Sequence, residues 1–508
     1  MTSVENNKRI AKNTLFLYVR MIFLLIISLY TSRVVLSALG ADDFGIYNVV
    51  GGVVVLFSFL TNSLTTSTQR FLNYNLGLNE QHKIKDVFNT SVLAHFVLSV
   101  IVLLLAETIG IWFLNNQLNI PLHRMSAALW VYQMSVVATI FNIMVIPYRA
   151  SIIATEKMSI FAYMSIAEAV LKLAIVIYLP YASYDKLITY AILISFITFF
   201  NYYIYRYICR RKIYFANYHY IWNKIQFKEQ ISFSGWYLFG GIATVGTKQG
   251  FNFFINIFFN VAVNAAVGIS NQVRAAVYGF VTSFQTAFNP QIVKLYASGQ
   301  EKELIDLIYR SSKFSYFLMY ILSLPLLIFC DEILSLWLVN VPEYTSVFTQ
   351  LVILTSFTEA LSAPLWTAIG ATGKVKRYQF WVSLIIILNI PIIYVAFKLG
   401  YDPTSALFIN LFIDIIAYVY RLVYIKKYVS YTLNEYLRKV LFPCLLVTLL
   451  ALPVPFILKL YFSNNLIEYI LNFLLTVAVA ILSTYLLGLS KDEKNFLRNK
   501  IIHKVLNR

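Results

Sequence analysis

Residues 384–395 read LIIILNIPIIYV, an apolar run interrupted only by Asn389 and Pro391. A helix needs about 20 mostly apolar residues to cross the hydrocarbon core of a bilayer, and windows of that kind recur along almost the whole chain. Of the 508 residues, 59% are hydrophobic and only 13% are charged, whereas a soluble domain carries about 25% charged residues. The sequence therefore predicts an all-α, polytopic membrane protein.

The apolar windows predict about fourteen membrane-spanning helices. The first follows the cations Lys8, Arg9 and Lys12 and resembles a signal peptide. Its apolar stretch runs to about Leu39, too long for a cleaved segment, so we expect it to stay in the protein as a span. The predicted spans are 14–39, 44–72, 86–114, 121–150, 158–180, 186–208, 230–258, 263–293, 304–330, 344–371, 376–398, 402–425, 438–460 and 464–489.

Cationic side chains orient this bundle. With the N-terminus placed in the cytoplasm, 32 of the 41 Lys and Arg residues fall near cytoplasmic ends of spans and five near outer ends. Cytoplasmic loops are enriched in Lys and Arg, and a missed span would reverse the bias downstream of the error. The net charge of +18 therefore points to membrane topology and not to a nucleic-acid partner. We expect a bacterial inner-membrane protein with both termini in the cytoplasm.

A basic and aromatic segment, residues 209–229, divides the chain after the sixth predicted span. It either lies along the anionic lipid surface as an amphipathic segment or serves as a plain linker. The predicted domains are an N-terminal lobe of six spans, this linker, a C-terminal lobe of six spans, and a last pair of spans with the C-terminal tail, at residues 1–208, 209–229, 230–427 and 428–508.

The two predicted lobes share a sequence repeat. Residues 147–157 read PYRASIIATEK and residues 364–374 read PLWTAIGATGK, so Pro, Ile, Ala, Thr and Lys recur at an offset of 217. A weaker match, at an offset of 222, pairs Gln69 and Gly77 with Gln291 and Gly299. Each offset corresponds to six spans, an even number, so the sequence predicts two parallel lobes related by an axis along the membrane normal.

Charged side chains inside predicted spans are the most informative residues, since each costs about 2.5–3.5 kcal/mol to insert. Those that we take to lie buried in the membrane are Arg20 and Arg33 in span 1, Glu107 in span 3, Glu168 and Lys172 in span 5, Lys248 in span 7, Arg274 in span 8, Glu359 in span 10 and Asp414 in span 12. Glu168 and Lys172 lie four residues apart on one helix and can neutralise each other. We expect a structural pair there, with a ligand site as the alternative.

Polar side chains follow one face of spans 7 and 8 at helical spacing. The span 7 stripe contains Gly241, Thr244, Lys248, Asn252 and Asn256, and the span 8 stripe contains Asn271, Arg274, Tyr278, Thr282, Gln285 and Asn289. Neither span carries a carboxylate, so the two cations favour an aqueous cavity for an anionic substrate, with hydrogen-bonded helix contacts as the alternative. The predicted substrate-binding residues are Lys248, Arg274, Asn252, Asn271, Tyr278, Gln285, Arg33 and Arg20.

Two acidic residues, Glu359 and Asp414, lie near the middle of spans 10 and 12. A carboxylate at that depth either binds a proton or cation during transport, or neutralises Lys248 or Arg274 across the bundle. The sequence leaves both possibilities open, and we take the two acids as candidates for ion coupling.

Other patterns argue against an enzyme. Cys209, Cys330 and Cys444 are far apart and the five histidines are scattered, so we expect neither a metal nor a cofactor. The pair Asp42-Asp43 is of the kind that holds a metal in membrane glycosyltransferases, but in a loop of about four residues we expect a solvated turn. The chain has no P-loop, HExxH or GxSxG motif. We therefore expect a secondary transporter.

The chain resembles the polysaccharide exporters of the multidrug/oligosaccharidyl-lipid/polysaccharide (MOP) superfamily, especially the flippases of O-antigen units. The resemblance rests on LGADDFGIY at residues 39–47, the ATGK turn at 371–374, Asn289-Pro290, and a layout of six, six and two spans. It implies two six-helix lobes around a central cavity that opens alternately to each side.

The same resemblance implies a substrate, namely an oligosaccharide on undecaprenyl pyrophosphate, moved from the inner to the outer leaflet for O-antigen, lipopolysaccharide or capsule synthesis. Expected partners are membrane lipid, a polysaccharide polymerase and glycosyltransferases. A drug/cation antiporter of the same fold is the first alternative, and it predicts that Asp414 and Glu359 are essential. A membrane glycosyltransferase or polymerase is the second, although the predicted outer loops are too short to hold an acceptor domain.

Overall fold

The computed structural model describes residues 3–55, 58–117, 120–259, 261–338, 340–461 and 466–495. Every regular element in these ranges is helical, which confirms the predicted all-α class. The α-helices are α1 (Ser3–Val55), α2 (Ser58–Gly77), α3 (Gln81–Leu105), α4 (Ile111–Gln117), α5 (Met125–Met144), α6 (Ile146–Ala154), α7 (Met158–Tyr178), α8 (Lys186–Lys212), α9 (Lys224–Phe258), α10 (Val261–Ala297), α11 (Glu301–Ile328), α12 (Cys330–Trp337), α13 (Thr345–Ala371), α14 (Lys376–Ile387), α15 (Asn389–Lys398), α16 (Thr404–Ile425), α17 (Leu433–Tyr436), α18 (Phe442–Ala451), α19 (Pro453–Tyr461) and α20 (Leu466–Ser483). Short π-helical or 3-10 segments adjoin several of them, at Ala106–Gly110, Leu122–Arg124, Leu179–Tyr181, Leu437–Leu441 and Thr484–Gly488.

Eleven helical stretches in the described part of the chain are long and apolar enough to cross a membrane. The predicted spans 44–72, 230–258 and 263–293 are not among these eleven. Their described residues are nevertheless helical, in α1, α2, α9 and α10, and the helices α2, α9 and α10 carry rows of Asn, Gln, Ser and Thr that lower their hydropathy.

The chain packs into two compact units. The first comprises Met1–Ile242, Thr286–Gln300 and Gly370–Phe380. The second comprises Ala243–Gln285, Glu301–Ile369 and Trp381–Arg508. Helices α9 and α10 therefore each contribute residues to both units, and the polar stripe that the sequence predicts on them lies mostly in the second.

Helix α1 bends at Gly40, between the first two predicted spans. The backbone there has φ 79° and ψ 170°, a conformation that is essentially restricted to glycine. Glycine therefore lets the chain change direction without a longer loop.

Arg124 binds two aspartates in the first unit. Its Nε donates to Asp43 Oδ1 at 2.8 Å, and its Nη1 pairs with Asp185. Asp185 also caps α8 by accepting a hydrogen bond from the Ile188 N–H at 3.1 Å. Asp43 thus lies in α1 just after the bend and is paired with an arginine, not in the solvated turn expected from the sequence. This pairing leaves it poorly placed to hold a metal.

The basic segment after α8 docks onto the first unit. Ile213, Phe215 and Ala216 are at most 2% exposed and join the apolar core around Phe88 and Tyr148. No helix forms between Ile213 and Asn223, so the segment is an irregular stretch of chain whose first residues are buried against the first unit. The aromatic side chains of Tyr214, Tyr218, Tyr220 and Trp222 in the same segment are exposed.

The turns that end α6 and α13 repeat each other in conformation. Glu156 and Gly373, 217 residues apart, both have positive φ, at 58° and 74°. In each turn the N–H of this residue donates to the carbonyl oxygen three residues earlier, at 2.9 and 3.0 Å. The two turns are therefore separated by the same 217 residues as the stronger sequence match, so the repeat in sequence is also a repeat in backbone conformation.

The weaker sequence match is two residues out of register. Asn79 (φ 55°), not Gly77, has the conformation of Gly299 (φ 70°). The N–H groups of residues 78–80 and 298–300 make the same three hydrogen bonds, at an offset of 220. Asparagine tolerates the left-handed conformation, so matching glycine with glycine gave the wrong alignment.

In the second unit, the C-terminal part of the chain packs against α11. Lys313 Nζ lies 2.6 Å from Glu493 Oε2, and both side chains are at least 90% buried. Gly488 approaches the ring of Phe317 so closely that a Cβ there would lie 2.4 Å from the ring. Tyr316 of α11 also hydrogen-bonds to Thr448 on α18 at 2.7 Å. The helices of predicted spans 13 and 14 are thus both fastened to α11.

Candidate functional site

Five charged side chains from four helices gather in the second unit. They belong to α9, α10, α13 and α16, and are Lys248, Arg274, Glu359, Asp414 and Arg421. All five lie within predicted spans, where a charge persists only when it faces protein or water. We refer to these five residues as the charge cluster.

Arg274 is fixed by three neighbours. Its Nε donates to Ser356 Oγ at 3.0 Å, its Nη2 pairs with Glu359, and its guanidinium lies 5.3 Å from the centre of the Tyr278 ring. Arg274 therefore has a carboxylate partner, although neither its own span nor span 7 supplies one. Of the two roles left open for Glu359, neutralisation of a cation across the bundle is the one observed.

Asp414 differs from Glu359 because it forms no ion pair within 4.0 Å among the described residues. Its electrostatic neighbours are the other four members of the charge cluster, with Arg421 the strongest. A carboxylate surrounded by charges but held by none of them has capacity for a further proton or cation.

Arg421 belongs to the charge cluster although the sequence analysis did not select it. Its Nη1 donates to Ser362 Oγ at 3.3 Å, and its guanidinium lies 5.5 Å from the centre of the Trp366 ring. A signal was present in the sequence, because Arg421 follows Asp414 by seven residues and so shares its helix face.

Lys248 is exposed and has Arg274, Glu359 and Asp414 as electrostatic neighbours. It forms no ion pair within 4.0 Å with a described carboxylate. Three cations and two carboxylates thus leave the cluster with an excess positive charge, and Lys248 is the member most accessible to a solute.

The predicted polar residues of α9 and α10 divide into two groups. Amide side chains near the cluster are satisfied within their own helices: Asn252 contacts Gln249 at 3.4 Å, and Asn271 donates to the Val267 carbonyl oxygen at 2.9 Å. Tyr278 and Gln285 are instead buried, and the Tyr278 hydroxyl and Gln285 Nε2 make no well-formed hydrogen bond.

The predicted candidates on span 1 belong to the first unit, not to the charge cluster. Arg20 stacks on Phe161, with its guanidinium 4.6 Å from the ring centre, and has Tyr205, Arg149 and Glu168 as electrostatic neighbours. The Arg33 side chain lies outside the described part of the structure.

Glu168 and Lys172 form the predicted pair. The Lys172 Nζ lies 2.7 Å from Glu168 Oε1, and Asn201 Nδ2 donates to the other carboxylate oxygen at 2.8 Å. Both oxygens of Glu168 are thus occupied, which favours the expected structural role.

Metal-binding side chains are not clustered in the described ranges, where no three His, Cys, Asp or Glu residues come together. The three cysteines are buried and unpaired with one another.

Comparison with protein families gives a match to MatE over residues 244–395. This segment contains Lys248, Arg274 and Glu359 but ends before Asp414 and Arg421. No curated protein matches the chain in sequence.

Comparison with solved structures gives matches over most of the chain at low sequence identity. A multidrug resistance MATE family transporter of the MOP superfamily, in an outward-facing conformation, matches with a TM-score of 0.73 and 10% identity, covering 84% of this chain and 98% of that one. A mutant of the Vibrio cholerae MATE transporter VcmN matches with a TM-score of 0.65 and 14% identity, covering 84% and 99%.

A third structure is a MOP superfamily transporter from Pyrococcus furiosus, described by the reverse polarity of its binding pocket, which suggests a different function for it. It matches with a TM-score of 0.70 and 10% identity, covering 85% of this chain and 99% of that one. None of these three is a polysaccharide exporter by its description. Residues 244–395 thus match the MatE family, and about 84% of the chain has the fold that these MATE transporters share.

Proposed function

We propose that the chain is an ion-coupled secondary transporter of the MATE type, a drug/cation antiporter in which Asp414 takes up the coupling ion. The MatE match and the shared fold support transport by alternating access. They favour this function over the oligosaccharide flippase that the sequence resemblance implies.

The observation that carries the proposal is the environment of Asp414. Four charged side chains surround it, yet it forms no ion pair within 4.0 Å among the described residues. The pairing of Arg274 with Glu359 also suits a cationic substrate, because it neutralises one of the two cations in the predicted polar stripes.

The charges around Asp414 explain how the coupling ion and the substrate would exchange. When a proton or metal ion occupies Asp414, the nearby Lys248 and Arg421 are no longer offset by that carboxylate and repel a cationic substrate. When the ion leaves, the restored carboxylate lowers the net positive charge of the cluster by one, so the repulsion weakens and the cationic substrate can bind beside Asp414. Ion and substrate thereby bind alternately, as antiport requires.

The test uses the purified full chain in proteoliposomes, with ethidium as substrate and an imposed gradient of protons or of Na⁺. We expect gradient-driven ethidium transport by the wild type and a loss of about tenfold or more in Asp414→Asn. The control is Asp306→Asn, which makes the same chemical change in an exposed ion pair with Arg310. Wild-type transport by Asp414→Asn would reject the role of Asp414.

A second candidate function is the flippase for undecaprenyl-pyrophosphate-linked oligosaccharide. The observation in its favour is the excess of cations over carboxylates in the charge cluster, which suits a pyrophosphate. If the chain is this flippase, its partners would be the polysaccharide polymerase and the glycosyltransferases that act on the same oligosaccharide.

Vesicles containing a fluorescent lipid-pyrophosphate sugar separate the two functions. A flippase moves this lipid between leaflets, and Lys248→Gln and Arg421→Gln slow the movement. A drug antiporter leaves the lipid in place and transports ethidium.

A further inference from the structure

A cavity of about 360 Å³ opens in the first unit, at the end of α8. It is lined by Tyr148, Arg206, Arg210, Asn217, Tyr218 and His219. None of these residues belongs to the charge cluster, and the proposed transport function does not use the cavity.

The fold builds this cavity from two walls. Arg206 and Arg210 lie four residues apart on α8, so both side chains face the same side of the helix. The chain then turns back, and the His219 N–H donates to Asn89 Oδ1 on α3 at 2.9 Å. Together with the buried Phe215, this bond holds residues 217–219 opposite the two arginines.

The cavity is positively charged. No carboxylate lines it, and neither arginine forms an ion pair within 4.0 Å with a described residue. Two like charges at this spacing on a helix repel each other unless an anion lies between them. Planar guanidinium groups bind phosphate oxygens through paired hydrogen bonds, and Asn217 and Tyr218 add further donors.

The surroundings of the cavity suit a lipid headgroup. Tyr207, Tyr214, Tyr220 and Trp222 are each more than half exposed, and Arg211 and Lys212 are exposed beside them. Aromatic and basic side chains concentrate where a protein meets lipid headgroups. We propose that this cavity is a binding site for a phosphate-bearing anion, with the headgroup of an anionic phospholipid as its favoured source.

The experiment measures lipid binding to the purified full chain by native mass spectrometry. The probes are phosphatidylglycerol and, as the zwitterionic comparison, phosphatidylcholine, and inorganic phosphate is titrated separately by ³¹P NMR. The test variants are Arg210→Gln, at an exposed position that should not affect folding, and Arg206→Gln/Arg210→Gln. The matched control, Arg211→Gln/Lys212→Gln, removes two positive charges from the same helix end outside the cavity.

We expect the double variant to bind phosphatidylglycerol about tenfold more weakly than the wild type, with Arg210→Gln intermediate and the control unchanged. Binding of inorganic phosphate that is equally tight, and lost in the same variants, would assign the site to soluble phosphate compounds. Equal losses in the test and control variants, or equal affinity for phosphatidylcholine, would overturn the proposal.

Discussion

The guanidinium of Arg274 on α10 pairs with the carboxylate of Glu359 on α13, two residues that are 85 positions apart in the sequence. The pair lies within predicted spans of the second unit. It turns two charges that would be costly inside a membrane into one neutral contact between helices. It also leaves Asp414 as the carboxylate of the charge cluster without a fixed partner.

Removing one member of this pair is expected to destabilise the protein more than removing both. Glu359→Gln leaves Arg274 without its counter-charge and should lower the free energy of unfolding by about 1–3 kcal/mol. Arg274→Gln/Glu359→Gln should recover part of that loss. Thermal unfolding in detergent provides the measurement, with the exposed Glu303→Gln as the control. Additive effects of the two substitutions would contradict a direct pair.

Glu156 is expected to be the most sensitive acidic residue of the first unit. Its carboxylate is 1% exposed and lies 2.5 Å from Lys294 Nζ, 2.6 Å from Gln291 Nε2 and 2.7 Å from Arg9 Nε. Glu156→Gln leaves two cations without a counter-charge and should lower the free energy of unfolding by about 3–5 kcal/mol. The measurement is again thermal unfolding. An effect no larger than that of Glu303→Gln would show that the three contacts contribute little.

Gly373 is expected to tolerate alanine less well than Gly400. Both residues have left-handed φ, at 74° and 84°, so alanine strains each backbone by about 1–2 kcal/mol. At Gly373 a Cβ would also lie 2.7 Å from Arg70 Nη2, which donates to the Ala371 carbonyl oxygen at 3.0 Å, whereas no atom lies within 4 Å at Gly400.

The difference between the two alanine variants therefore isolates the Arg70 contact. We expect Gly373→Ala to unfold at the lower temperature, with an additional loss of about 1 kcal/mol. Equal unfolding temperatures would mean that Arg70 moves aside freely.

The ion pairs of Arg124 are expected to make stability depend on acid pH. Burial alone would raise the pKa of Asp185, but hydrogen bonds from Arg124 and the Ile188 N–H more than offset it and hold that pKa below the ordinary value of 3.8. A lowered carboxyl pKa stabilises the fold above the unfolded-state value, and the effect is lost as the pH falls through the folded-state pKa. We therefore expect Asp185→Asn to be less stable than the wild type at pH 7, with the difference shrinking below about pH 4.

Thermal unfolding of both proteins between pH 7 and pH 3 measures this difference. Asp306→Asn is the control, since its exposed pair with Arg310 should contribute little at any pH. A constant difference between wild type and Asp185→Asn across the range would contradict the role of the carboxylate charge.

The sequence by itself determined the class of the protein and where its helices lie. An apolar run such as 384–395 predicts a membrane-spanning helix whatever the rest of the chain does, because the prediction depends only on consecutive residues. The i,i+4 pair of Glu168 and Lys172 is equally local, because one helix brings both residues together. The repeat at Glu156 and Gly373 was also readable, since a turn depends on a few consecutive residues.

Tertiary structure alone decided which distant charges meet. Helical periodicity gives the face of a helix but not the helix that packs against it, so Arg274 was assigned to a free cationic stripe and Arg421 was missed. The docking of Phe215 and the cavity beside it were hidden for the same reason, because composition alone indicates either a plain linker or an amphipathic segment on lipid for residues 209–229. Pairing and burial between remote segments depend on how the whole chain packs, and the energy of a buried charge is set by the neighbours that this packing supplies.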